Sequence, residues 1–538
     1  MENYVISYDV GTTGVKTCLF KIDNSIELIK SESCGYKLYI LENGGAEQDV
    51  DEWWNAMCET TKLIFADDKV KDKISPKDIK GISFCSQAQG LVVVDENGKA
   101  LRRAMSYMDQ RAKKQLKDGM AYGLQIAGAN IFKVIPYLYY TGAVSSSVKD
   151  PIWKYKWIEE NEPEVYEKIY KWLDVKEYLL CRCTNRCVMV RDSAFAALLY
   201  DIRRGHEGWS KQVCKMVGIN MDHLPEIINS TDIVGPLTEK AASDLGLMAG
   251  IPVFGGGNDS SLIGIGAGSV HLGDTHVYSG TSGWVSTIVN KSMVDPNAMI
   301  AAIVGAQDGL FNYFAELETS GKCLEWVKNH LALDEIDIYL DKKDVTEAPE
   351  EFEEEYTSLY DYMSEVIDQV PAGSNGVIFT PWLHGNRCPF EDPNAAGMFF
   401  NIKIETGKRD LIRSVVEGVC YHKRWMLEAQ AKKTEIADTV RFVGGGALSD
   451  VSSQILADIL GKTVETVAFP QNVGAVGAAA IVGVGIGAIS DLNEVDKYIK
   501  VTKRFTPNEK NKAVYDNGFE VFKSLYKNNK KAFKALNG

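Results

Sequence analysis

The residues best suited to chemistry in this chain lie in three glycine-rich turns and on one polar crossing. Asp9-Val10-Gly11-Thr12-Thr13-Gly14 separates two apolar, β-branched runs at 4–8 and 15–20. Its glycines let backbone N–H groups approach an anion, Thr12 and Thr13 offer hydroxyls to phosphate oxygens, and Asp9 suits magnesium directly or through water. A plain hairpin turn is the other reading, because Asp, Gly and Thr are ordinary turn residues. Gly280-Thr281-Ser282-Gly283 repeats the pattern between β-rich runs, with Tyr278 standing where Asp9 stands in the first copy. The echo implies two similarly built domains presenting hydroxyl-lined turns to one cleft, which favours phosphate over a plain turn. Gly444-Gly445-Gly446-Ala447 joins a strand to a helix, so a planar ligand such as a nucleotide base can lie on exposed backbone there; an ordinary tight turn is the alternative. The polar cluster Ser86-Gln87-Ala88-Gln89-Gly90 sits on a crossing between strands, within reach of a ligand. Asp259 follows Gly255-Gly256-Gly257-Asn258.

The elements that must position these groups follow from periodicity. Strands are expected at 79–85, 91–95 and 439–443, and helices at 50–65, 239–247, 408–432, 451–460 and, rich in small residues, 474–487. The stretch 153–180 reads as helical with a boundary at Pro163, and the acidic stretch 333–370 as a solvated surface helix or insertion. Cys181, Cys183 and Cys187 lack the spacing of a zinc knuckle and continue an apolar pattern, so they are expected to pack in the core.

Composition excludes some functions. The chain has 538 residues, a net charge of −14 and eleven scattered cysteines. It is long enough for two large domains, and its charge disfavours nucleic acid or an anionic membrane as partner. With no secretory signal or membrane span apparent and no disulfide framework, a cytoplasmic location is expected. Gly461-Lys462-Thr463 imitates the end of a P-loop, but Leu456 occupies the position of the required earlier glycine.

Taken in order, D-V-G-T-T-G at 9–14, S-Q-A-Q-G-L-V-V-V-D at 86–95, M-D-Q-R-A at 108–112, G-G-G-N-D at 255–259, S-G-T-S-G at 279–283, G-N-R-C-P at 385–389 and G-G-G-A at 444–447 resemble the FGGY family of carbohydrate kinases, and within it the members acting on xylulose. The resemblance implies an α/β fold of two actin-like (ribonuclease-H-like) ATPase domains, expected at 1–254 and 255–538, closing a cleft on ATP, magnesium and a sugar or polyol. It places Asp9, Gly11, Thr12 and Thr13 at the first phosphate and magnesium turn, with Lys16 as an added charge. Gly280, Thr281 and Ser282 match the second phosphate turn, and Gly444, Gly445, Gly446 and Ala447 the adenosine site. Asp259 falls on the catalytic base, also facing the metal. Gln87, Ala88, Gln89, Tyr107, Asp109 and Trp284 are the expected sugar contacts, ordinary packing being the other reading for Tyr107 and Trp284. Two departures bear on the substrate: Ala88-Gln89 stands where relatives resemble Met-His or Arg-Glu, and Tyr107 replaces a common Trp. The implied activity is transfer of phosphate from ATP to a sugar hydroxyl, D-xylulose giving D-xylulose 5-phosphate. Kinases for glycerol, ribulose, erythritol or gluconate and a noncatalytic sensor are the alternatives, and a homodimer is a family-level expectation.

Overall fold

The N-terminal alternation of apolar residues folds as β1 (Asn3–Val10), antiparallel to β2 (Gly14–Ile22), which is antiparallel to β3 (Ile26–Gly35). The computed structural model describes residues 2–126, 128–331 and 359–538. Asp49 caps α1 (Val50–Ala66), whose Trp53, Met57 and Ile64 are buried. The chain then returns as β4 (Ile79–Ser86), parallel to β1 on its other side. Two short elements come next, α2 (Ile131–Thr141) and α3 (Val175–Thr184). β5 (Ile233–Pro236), β6 (Pro252–Phe254) and β7 (Gly257–Asn258) complete a seven-stranded sheet of order β5-β6-β4-β1-β2-β3, with β7 also paired to β4. Asp259 opens the next helix, α4 (Asp259–Gly266).

The second half repeats this plan. β8 (Thr275–Ser279) and β9 (Gly283–Val289) form the antiparallel hairpin. After β10 (Val294–Asp295) and β11 (Ile300–Val304), β12 (Phe311–Leu317) pairs antiparallel with β9, in the place β3 holds in the first sheet. Helix α5 (Lys408–Ala431) precedes β13 (Thr439–Val443), which is parallel to β8 as β4 is to β1. Helix α6 (Asp450–Leu460), β14 (Thr463–Val467), α7 (Val473–Gly485), β15 (Val501–Phe505) and α8 (Glu509–Asn537) finish the chain. The second sheet runs β10-β11-β12-β9-β8-β13-β14-β15. Each glycine turn therefore joins the first two strands of its own sheet.

The small-residue helix explains how the halves meet. Ala475, Ala478, Ala479 and Val482 of α7 share a core with Val5, Phe20 and Phe254 of the first sheet. Where α7 crosses α4 the backbones nearly touch: a Cβ on Gly477 would lie 2.2 Å from the Leu262 carbonyl oxygen, and one on Gly266 only 1.9 Å from that of Val473. Only glycine permits this approach.

Two expectations are corrected, and a third falls mostly outside the described residues. The first sheet runs to Asn258 and the second begins at Thr275, so the division falls after α4 rather than at 254/255, and Asp259 is built on the first sheet. The 153–180 stretch is broken: Lys171–Leu173 is a strand pairing with Val92–Val94, because its apolar Trp172 and Leu173 are buried between helices. The acidic segment lies mostly outside the described residues, and its described end, Leu359–Asp368, is helical.

Candidate active site

The first turn is closed by the Gly11 N–H donating to the Gly14 carbonyl (2.9 Å) and by the Tyr36 hydroxyl donating to the carbonyls of Gly11 (2.5 Å) and Gly14 (3.0 Å). Those bonds leave the exposed Thr13 and half-buried Thr12 side chains at the rim. Asp9, at the end of β1, faces Lys16 in register across the hairpin and Cys85 on β4. A Cβ on Gly474 would lie 3.1 Å from Asp9 Oδ2, so the carboxylate rests against the first turn of α7. Burial raises its pKa, opposed by Lys16 and by a hydrogen bond from the Cys85 thiol. The Lys16 ammonium donates to Asn472 Oδ1 (2.7 Å) and the Gln471 carbonyl (3.1 Å), fixing a positive charge where α7 begins.

Asp259 stands half-buried at the head of α4, its Oδ1 accepting from the Ser260 N–H at 2.6 Å. Burial, with Asp9, Glu316 and Asp192 adding like charge, pushes its pKa up to about 7 against that single hydrogen bond. Asp9 and Asp259 thus converge from two elements of the first sheet. Two mutually repelling carboxylates with few donors of their own fit a divalent cation that keeps water and phosphate ligands. Groups of three or more metal-ligating side chains do not occur among the described residues, as such a shared site would not require.

The loop before Asp259 is anchored from behind by a buried charged network that sequence reasoning missed. Lys176 of α3 donates to Asn258 Oδ1 (2.9 Å), Asp192 Oδ1 (3.2 Å) and the Ser193 hydroxyl, and pairs with Glu177 (2.9 Å). Asp192 Oδ2 accepts the Asn258 N–H at 2.6 Å. Lys176 and Glu177 look like ordinary helix residues, and no local signal marks them.

The polar crossing is held with similar care. Gln89 has a left-handed backbone (φ 62°), and Asp174 accepts from the N–H groups of Gln89 and Gly90 at 2.8 Å each. The buried Lys154 donates to the Gln89 carbonyl at 2.7 Å and to that of Ser106 at 2.8 Å. Gln87 donates through Nε2 to Gln48 Oε1 (3.0 Å), and Gln48 donates to the Thr12 carbonyl (2.7 Å). Gln87 Oε1 is buried without a partner, an acceptor left for a ligand hydroxyl. Ala88 and Gln89 are half-buried beside it. Tyr107 reaches the first turn, accepting from the Thr12 hydroxyl at 3.4 Å. Gln48 was not legible as functional because its partners are 36 and 39 residues away.

Two expected sugar contacts face elsewhere. Asp109 is fully buried, its oxygens accepting from the Ala46 N–H (2.9 Å), the Arg111 N–H (3.1 Å) and the Arg111 guanidinium (2.7 Å). It pins the strand carrying Gln48 instead of meeting a ligand. Trp284 stacks beneath Tyr278 at 4.0 Å, and its Nε1 donates to His276 Nε2 at 3.0 Å. Burial lowers that histidine's pKa to about 3, so it is neutral. The half-buried Tyr278 lies nearer the site: Asp9 and Asp259 both raise its phenol pKa, after burial.

In the second turn the Gly280 N–H donates to the Ser282 carbonyl (3.0 Å), and the N–H of Gly321 to the Gly280 carbonyl (2.7 Å). Thr281 is exposed and Ser282 half-buried. The glycine triplet packs on this turn: Gly444 (φ 90°) has no room for a Cβ, which would lie 2.6 Å from the Ser279 carbonyl oxygen. Gly445 is exposed with open space beside it and Gly446 half-buried, whereas Ala447 turns into the core and Leu448 outward.

Two sheets of the same plan, each with a hydroxyl-lined turn between its first two strands, and a carboxylate of raised pKa at the end of the first sheet, near Tyr278 of the second, fit a two-domain phosphotransferase of the actin-like ATPase class. Residues 4–266 match the N-terminal domain of the FGGY family of carbohydrate kinases and residues 276–486 its C-terminal domain; the chain belongs to that family and is an ATP-dependent sugar kinase. It is 27% identical to a xylulose kinase of Staphylococcus epidermidis over 536 residues, 98% of each chain. It is 26% identical to a gluconokinase of Bacillus subtilis over 532 residues, 98% of this chain and 96% of the relative. The ligand-bound xylulose kinase of Lactobacillus acidophilus has the same fold, with a TM-score of 0.83 at 24% identity, covering 99% of this chain and all of the other. Among the described residues no helix is long and apolar enough to cross a membrane.

Proposed function

We propose that this kinase phosphorylates a neutral ketose, D-xylulose to D-xylulose 5-phosphate, with Asp259 as general base. The observation that carries the choice of sugar is the neutrality of the polar crossing. Gln87 offers a free amide oxygen, Gln89 an amide and Tyr107 a phenol, all suited to hydroxyls. The two buried cations behind this wall, Lys154 and Lys176, are committed to backbone carbonyls or to Glu177 and Asp192. A sugar acid such as gluconate would need an uncommitted cation for its carboxylate.

Asp9 and Asp259 would hold magnesium between them, which when bound neutralises charge on the phosphates. The N–H groups and hydroxyls of Thr12, Thr13, Thr281 and Ser282 grip the phosphates, Gly11 and Gly280 hold the two turns closed through their own N–H groups, and Gly445 and Gly446 give the base a flat seat. Phosphoryl transfer asks the protein mainly to position groups and neutralise charge. Asp259 accepts the hydroxyl proton as the new oxygen–phosphorus bond forms, a contribution typically worth about 10²- to 10⁴-fold.

ADP release measured over D-xylulose, ribulose, erythritol, glycerol and gluconate tests the reading. D-xylulose should give the highest kcat/KM. A higher value with gluconate would overturn the neutral-sugar reading, and no sugar-dependent ADP release at all would overturn the role of Asp259 as well.

A further inference from the structure

Two thiols meet at the end of α3. Asn185, in a left-handed conformation (φ 59°), closes the helix by donating its N–H to the Cys181 carbonyl (2.7 Å), and the chain turns back into the strand Val188–Val190. That reversal sets the Cys181 and Cys187 sulfurs 2.8 Å apart, both reduced. Cys181 is buried (2% exposed) and roofed by the turn at 95–99, where a Cβ on Gly98 would lie 2.8 Å from its sulfur. Cys187 is half-buried, so an agent arriving from solvent meets it first. We propose that Cys181 and Cys187 are a modification site for a low-molecular-weight disulfide, which oxidises them to a bridge that latches α3 to the strand Val188–Val190.

The surroundings of the two sulfurs divide the chemistry between them. The hydrogen bond with Cys181 holds the Cys187 thiol below its usual pKa, with Lys171 helping, against burial and Asp95; Cys181 is raised by that same bond first and by burial next. Cys187 therefore supplies the thiolate that attacks one sulfur of the small disulfide, and one small thiolate leaves. Cys181 then gives up its proton and attacks the Cys187 sulfur, expelling the second small thiolate. The protein loses two electrons and two protons, and the small disulfide becomes two thiols. A sulfur–sulfur bond is about 2.05 Å long, so the pair closes by only about 0.8 Å. The bridge lies behind the active site. Helix α3 also carries Lys176 and the strand runs on to Asp192, the pair that holds Asn258 next to Asp259, and the Val190 N–H donates to Glu177 Oε1 (3.1 Å). A ring closed between residues 181 and 187 restricts the unfolded chain and leaves these contacts in place. In a reducing compartment such a bridge forms under oxidising conditions and is undone afterwards, which makes it a reversible latch.

Treating the reduced full chain with excess glutathione disulfide, then mapping its tryptic peptides by mass spectrometry, tests the assignment. The wild type should lose two of its eleven thiols. Trypsin cuts after Lys176, Arg182, Arg186 and Arg191, so the bridge should join peptides 177–182 and 187–191 with the piece between them excised. The melting temperature should rise on the order of 4 °C and fall back with dithiothreitol, with kcat within twofold. C187S should show neither the joined peptides nor the rise, whereas C34S, at another half-buried cysteine, should behave as wild type. The peptide map reads the wild type, so it decides the matter even if C187S folds poorly. A stable glutathione adduct on Cys187 without the bridge, a bridge between other cysteines, or a bridged enzyme that melts no higher overturns the proposal, and so does a bridged enzyme that has lost its activity.

Discussion

Lowering the pH from 8 to 6 is expected to reduce kcat/KM for the sugar about tenfold, because Asp259 titrates at about 7 and only its ionised form can accept a proton. For such a group about nine tenths of the enzyme is ionised at pH 8 and about one tenth at pH 6. Burial is the main cause, and the charges of Asp9, Glu316 and Asp192 add to it. Glu316→Gln removes one of those charges from outside the set of ligand-binding residues and should move the acid limb downward. ADP release at saturating magnesium and nucleotide, with sugar varied from about pH 5.5 to 9, measures both. Asp259→Asn should lie about 10²- to 10⁴-fold lower and lose the limb. The same group bears on stability. Its folded pKa is above the unfolded value, so the native state binds the proton more tightly and this contribution is largest below about pH 4 and lost as pH rises through about 7. Asp259→Asn, neutral throughout, should therefore melt on the order of 2 °C above wild type at pH 8 and equal to it at acid pH. An acid limb at the ordinary carboxylate value near 4, or an Asp259→Asn enzyme that keeps the wild-type limb, refutes the reasoning.

Other consequences follow from single contacts. Lys176→Met leaves Glu177 and Asp192 buried without their cation and should destabilise the protein by about 3–5 kcal/mol, with kcat falling more than sugar KM rises; a melting curve like that of wild type would contradict it. Trp284→Phe keeps the stack on Tyr278 but loses the hydrogen bond to His276, an expected loss of about 1 kcal/mol with sugar KM unchanged. A tenfold rise in KM would return Trp284 to the sugar wall. Gly477→Val forces α7 away from the Leu262 carbonyl; small-angle scattering should show wild type compacting with sugar and a nonhydrolysable nucleotide and the variant failing to, whereas equal compaction in both excludes α4–α7 contact as the hinge.

Features with local causes were legible in the sequence. The turns at 11–14 and 280–283 declare themselves because Gly, Thr and Ser between two β-rich runs mark a hairpin, and strand 439–443 and helices 50–65 and 408–432 because periodicity is a short-range pattern. Groups defined by distant partners were not. Asp109 reads as a free carboxylate until Arg111 and the Ala46 N–H are seen to occupy it, and Trp284 as a pocket wall until His276 is found behind it. Cys181 and Cys183 are buried as expected, but Cys187 is half-buried with its sulfur 2.8 Å from that of Cys181, since the turn at Asn185 folds the chain back. The strand at Lys171–Leu173 was hidden inside a helical composition because its pairing partner lies near residue 93.

Two carboxylates share the cleft, and their surroundings divide the work proposed for them. Asp9 lies among positive influences: Lys16 opposite it in the hairpin, the Cys85 thiol, and the first turn of α7 at Gly474, where a helix dipole favours an anion. These oppose the burial that raises its pKa. Asp259 has one N–H for support, and burial first, with the charges of Asp9, Glu316 and Asp192 added, pushes its pKa up to about 7. An acid near the working pH combines an available ionised form with real affinity for a proton, the compromise that general-base catalysis rewards. The asymmetry follows from the fold: the first sheet supplies both residues, but only the hairpin end of β1 is covered by Lys16 and the start of α7.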